Sequence, residues 1–61
     1  MTHFYVNDRN LTSLVGVNFP PNVEILYCHN NRLTNLEGCP SSVKELYCDH
    51  NQLTSLEYWF L

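Results

Sequence analysis

The sequence predicts a solenoid: a chain wound into three stacked coils that lay a parallel β ladder along one side, with return legs that are mostly not helical. Three observations predict it. Leu26 to Gly38 reads LYCHNNRLTNLEG, and Leu46 to Tyr58 reads LYCDHNQLTSLEY, nearly the same phrase repeated. Where each phrase begins, apolar residues alternate with others, the period of a strand with one buried face. Between the phrases, Pro20-Pro21 and Pro40 sit in matching places and disfavour a continuous helix.

The first coil is found by the same frame. Leu11-Thr12-Ser13-Leu14 matches Leu33-Thr34-Asn35-Leu36, which matches Leu53-Thr54-Ser55-Leu56. The first interval is slightly longer than the second, and the extra length falls between Leu14 and Pro20. Counting back from Leu11 puts Phe4 at the position of Leu26 and Leu46, Val6 at that of Cys28 and Cys48, and Arg9 at that of Asn31 and Asn51. Strands are expected near 3–7, 25–29 and 45–49. Alternation turns Phe4, Val6, Leu26, Cys28, Leu46 and Cys48 inward, with Phe4, Leu26 and Leu46 superposed in one column. It turns His3, Tyr5 and Asn7, then Ile25, Tyr27 and His29, then Glu45, Tyr47 and Asp49 outward. The return legs read as extended or polyproline-like, with single 3₁₀ turns around Asn22-Val23 and Ser41-Ser42-Val43. Asn31 and Asn51 follow the strands where the chain bends, and their amides can satisfy backbone groups left unpaired there. The whole is one domain over 1–61, closed by an apolar tail at 57–61.

The frame LxxLxCxxNxLxxL resembles the leucine-rich repeat family over nearly the whole chain, in its short form of about 20 residues per unit. That resemblance implies an α/β-class solenoid and a buried asparagine ladder, carried here to Asn31 and Asn51. Arg9 departs from the pattern, so either the first coil is irregular or Asn7 or Asn10 substitutes. Proline about four residues after the last leucine resembles repeats of bacterial secreted effectors. LYCxxNxLTxL is similar to repeat proteins encoded by giant DNA viruses of amoebae.

Bulk properties narrow the function classes. The formal net charge is −3, and the three cations, Arg9, Arg32 and Lys44, are widely separated. No basic patch suits nucleic acid, and no polybasic anchor or long apolar run suits a membrane. The start, Met1-Thr2-His3-Phe4, lacks the charged head and apolar run of a secretory signal, and the odd count of three cysteines argues against a closed disulfide framework. The expected setting is intracellular and reducing, or a virion if the protein is viral.

Few residues point to chemistry. Cys28 and Cys48 stack inward at a slot that holds Val6 in the first coil, which reads as core; a Cys28–Cys48 disulfide and a metal site are the alternatives. His29, Asp49 and His50 gather near one edge of the open face and could bind a cation, but no positioned nucleophile accompanies them. No catalytic, metal or cofactor residue is expected, and no cofactor.

Tyr5, Tyr27 and Tyr47 form an outward ladder, which reads both as cross-strand stabilisation and as a contact stripe. Tyr58, Trp59 and Phe60 read as a cap, as an anchor in a neighbouring protein, or as the truncated end of a longer array. Three coils bury little apolar surface, so contacts to other protein subunits are expected to complete the fold. The sequence thus predicts a non-enzymatic interaction or assembly component. By resemblance it would be a minor structural part of a large virus particle, or alternatively the substrate-recognition fragment of a larger bacterial-type effector.

Overall fold

The structure is a computed structural model, and it describes residues 2–54. Expectations for Met1 and throughout 55–61, including Tyr58, Trp59 and Phe60, lie outside the described residues. Three strands, β1 (His3–Tyr5), β2 (Ile25–Tyr27) and β3 (Glu45–Tyr47), form one parallel sheet in chain order. The register pairs Phe4 with Leu26 and Leu26 with Leu46, so the inward column is laid down as the repeat frame requires. No helix occurs among the described residues.

Each strand ends at its tyrosine, short of the expected limit. The hydrogen-bond ladder nonetheless runs on: Val6 N–H donates to Tyr27 O at 2.8 Å, Cys28 N–H to Tyr47 O at 2.8 Å, and Asn30 N–H to Asp49 O at 3.0 Å. The chain then bends. Asp8, Asn30 and His50 hold equivalent positions and all take positive φ, between 56° and 57°. Asp, Asn and His tolerate that region better than other side chains, which accounts for the residue types found at the corner.

Behind the corner the asparagines fasten successive repeats. Asn31 Nδ2 donates to the carbonyls of Val6, Cys28 and His29 at 2.9, 3.0 and 3.3 Å, while its Oδ1 accepts from the N–H groups of Arg9 and Leu11 at 3.0 and 2.9 Å. Asn51 repeats the pattern one interval later, donating to Cys28, Cys48 and Asp49 and accepting from Leu33 N–H. Each amide therefore reaches back to the preceding repeat. No earlier repeat lies behind Arg9 among the described residues, so its place needs no amide there. The expected substitutes do not take the role: Asn7 Nδ2 instead donates to Asp8 Oδ2 at 2.7 Å.

The core lies between the strands and the return segments. Val6, Leu14, Val23, Leu26, Cys28, Leu33, Leu36, Cys39 and Val43 are buried together, and Phe4, Leu11, Phe19, Leu46 and Leu53 pack against them half-exposed. Fully enclosing a leucine of this kind stabilises the fold by about 1.5–3 kcal/mol. Phe4 meets Phe19 edge-on at 5.4 Å between ring centres, closing the β1 end of the core.

The two return-segment expectations divide. No run of 3₁₀ helix forms among the described residues. Asn22 instead takes φ of 60°, which a 3₁₀ helix excludes, and the second segment holds a single turn with Val43 N–H donating to Pro40 O at 3.3 Å. Ser13 and Asn35 hold equivalent places in successive repeats, and each caps a bend by accepting from the N–H two positions on, at 3.0 and 2.9 Å.

Candidate functional site

Alternation along three short strands creates an open sheet face of successive rows. Its first row is His3, Ile25 and Glu45; its second is Tyr5, Tyr27 and Tyr47. Asn7, His29 and Asp49 continue the pattern past the strand ends.

The tyrosine row is a stack. Tyr5 and Tyr27 lie 4.3 Å apart at 7° between ring planes, and Tyr27 and Tyr47 lie 5.0 Å apart at 6°. The strand spacing of about 4.8 Å sets this distance, so parallel in-register strands make the stack without further help. Each pair contributes about 0.5–1.5 kcal/mol beyond its buried area. The outer rings remain open to solvent, Tyr5 at 55% and Tyr47 at 44% exposure, while Tyr27 is half-buried between them.

Two residues not singled out from the sequence hold this stack in place. His3 stacks near Tyr5 and Tyr27, and its Nδ1 shares a 3.1 Å hydrogen bond with the Tyr27 hydroxyl. Tyr47 Oη donates to Glu45 Oε1 at 3.1 Å. The signal for both was available, because His3 and Glu45 each stand two positions before a tyrosine and share its face. The Glu45 hydrogen bond, then the charge of that carboxylate, pushes the Tyr47 phenol above its usual range. Partial loss of solvent, then the neighbouring Tyr5, does the same to Tyr27. Both rings carry neutral hydroxyls at neutral pH.

Ile25 departs from the expected mixed outer face. It points outward in register with His3 and Glu45, yet it is only 5% exposed and stands apart from the core cluster. A middle strand has a neighbour on each side, and that suffices to enclose an aliphatic side chain on the outer face.

The His–Asp group divides. His50 shares a 2.7 Å hydrogen bond with Asp49 Oδ2, and this bond first, then backbone donation, holds the Asp49 carboxyl below its usual range. His29 lies in half-buried surroundings, edge-on to Tyr27 at 6.4 Å, with no hydrogen-bond partner for its Nδ1 among the described residues. His50 owes its place to the positive-φ corner rather than to a shared site.

Cys28 and Cys39 are buried, Cys48 is half-buried, and none is bridged to another. Loss of solvent, with lesser contributions from the other thiols, pushes Cys28 up to about 12 and Cys39 up to about 11. Such thiols are poor nucleophiles at neutral pH. Among the described residues no group of three or more His, Cys, Asp or Glu is placed to hold a metal ion, and no pocket opens.

The arrangement offers a flat, stiff aromatic surface with one acidic side. A family model described as leucine-rich repeats, in two copies, matches residues 21–59. No curated protein and no solved structure matches the chain.

Proposed function

We infer, because the chain belongs to the leucine-rich repeat family, that it serves as a protein-interaction or assembly module. Domains of this family generally mediate protein–protein interaction, and their repeats are typically non-enzymatic. In this reading the chain winds three times, the open sheet face is the contact surface, and Tyr5, Tyr27 and Tyr47 are its centre, flanked by His29 and Asp49. One observation carries it: three tyrosine rings are stacked in register on a face where two of them stay largely exposed.

Tyrosine offers large contact area at small entropic cost, and a ring already stacked on its neighbour has little freedom left to lose. Tyr58, Trp59 and Phe60 belong to the same proposal as a second contact, since such side chains dominate binding hot spots. The narrower form of the reading is a minor structural subunit of a large virus particle, supported by the placement of cysteine and tyrosine in the repeats. An intracellular, reducing setting accords with its buried free thiols.

A crosslinking map of the chain inside its native complex tests the reading. Crosslinks should concentrate on the tyrosine row and the 57–61 tail, and Tyr27→Ser should leave the circular dichroism unchanged while weakening partner capture. A map confined to the return segments would refute it. A reading frame that runs past Leu61 into a further domain would shift the role to substrate recognition on that domain's behalf.

A further inference from the structure

We propose that the β3 side of the open face takes an extended segment of a partner protein carrying basic residues at positions i and i+4 and an apolar residue at i+2. The proposal rests on the reading of this face as a protein contact and adds the chemistry of what it contacts.

Charge gives the sign. Glu45, Tyr47 and Asp49 alternate along one strand and its extension, placing a carboxylate on each side of a phenol ring. At about 3.3 Å per residue the two carboxylate-bearing positions stand about 13 Å apart, with the ring midway. An extended peptide laid along this column presents its own i, i+2 and i+4 side chains at the same intervals, because the period of two is common to both chains.

No lysine or arginine occupies an outward position of the three strands or their extensions, and the side-chain partners these carboxylates have are His50 Nδ1 on Asp49 and the Tyr47 hydroxyl on Glu45. Lys44, just before β3, has its Nζ 3.5 Å from Glu24 Oε2 instead. Arg9 and Arg32 lie beyond the corner. The same charges disfavour a second copy of this face as occupant, since antiparallel pairing of two such columns would set carboxylate against carboxylate.

The ring adds a second attraction. One face of Tyr47 is covered by Tyr27, and its hydroxyl is held by Glu45, which fixes the ring. At 44% exposure it still offers area to an aliphatic side chain or to the stem of a lysine or arginine.

Three capped nonapeptides test the proposal against the full chain, followed by amide chemical shifts at low and at raised salt. The first centres on lysine-threonine-leucine-threonine-lysine. The second has glutamate for both lysines. The third holds the first one's residues with the two lysines adjacent.

The first should bind about tenfold more tightly than the second and about threefold more tightly than the third, with shifts along 45–49 and a clear loss at high salt. The double variant Glu45→Gln, Asp49→Asn should lose about tenfold, whereas Glu37→Gln, on a return segment, should lose nothing. All three positions are exposed, so the fold should survive. Equal binding of the first two peptides, an unaffected double variant, or no binding at all would overturn the basic partner while leaving the broader interaction reading to the crosslinking map. Equal binding of the first and third would overturn the i, i+4 match.

Discussion

Leu26 on the middle strand is fully enclosed, whereas Phe4 and Leu46, in the same slot on β1 and β3, are half-buried. Asn31 is 8% exposed and accepts two backbone N–H groups; Asn51 is more open and accepts one. On the outer face Ile25 is buried while His3 and Glu45 are exposed. Equal slots therefore carry unequal energies. Among the described residues only the middle repeat has a neighbour on each side, and enclosure follows the number of neighbours rather than the residue type.

The largest effect should come from the column itself. Leu26→Ala should cost about 2–5 kcal/mol, near the whole stability of so small a fold, while Leu46→Ala should cost about half as much. Urea titrations followed by circular dichroism measure both, and equal costs would break the comparison.

The fasteners come next. Asn31→Ala strands the N–H groups of Arg9 and Leu11 and removes donors to three carbonyls, so a loss of about 2–4 kcal/mol is expected, against about 1–2 kcal/mol for Asn51→Ala. Amide hydrogen exchange should sharpen the contrast: Arg9 and Leu11 should lose protection in the first variant and keep it in the second.

Two glycines give a cleaner pair. Gly16 and Gly38 hold equivalent places in successive repeats and take φ of 89° and 93°. A Cβ on Gly38 would lie 2.8 Å from Leu14 C and Val15 N, whereas one on Gly16 would meet nothing within 4 Å. Gly16→Ala should cost about 1 kcal/mol, the strain of positive φ alone, and Gly38→Ala clearly more, since its obstacle is backbone of the preceding repeat. Thermal melts of the two variants decide this.

The smallest effect concerns the thiols. Cys28 should react with iodoacetamide at least about tenfold more slowly than the half-buried Cys48. Burial raises the folded value of Cys28 from 9.0 to about 12, so the neutral thiol is the form the fold prefers. That contribution is fully present below the unfolded value of 9.0 and is lost as pH rises towards 12. Alkaline titration should therefore unfold the wild type earlier than Cys28→Val, which carries the side chain found at the equivalent Val6.

Much of the fold was legible in the repeat interval. Aligning Leu11, Leu33 and Leu53 fixed which residues face which across the sheet, and the pairing of Phe4, Leu26 and Leu46 follows that alignment. The tyrosine row was legible for the same reason. What the interval could not show were effects of being first, middle or last. Ile25 is buried by what stands beside it, and Arg9 is tolerated because an amide there would have nothing behind it to grip among the described residues. The corner was missed because positive φ leaves no periodic trace: Asp8, Asn30 and His50 share a backbone state but not a side chain. His50 consequently looked like part of a binding edge.

The backward reach of Asn31 and Asn51 has a bearing on synthesis. The clasp on Val6 is carried 25 residues downstream, so a nascent polypeptide leaving the ribosome amino end first holds its opening loop unlatched until Asn31 emerges. The next latch waits in turn for Asn51, 23 residues beyond Cys28. Closure is vectorial, and a translational pause between the two latches would leave the Leu26 wall bare on its trailing side.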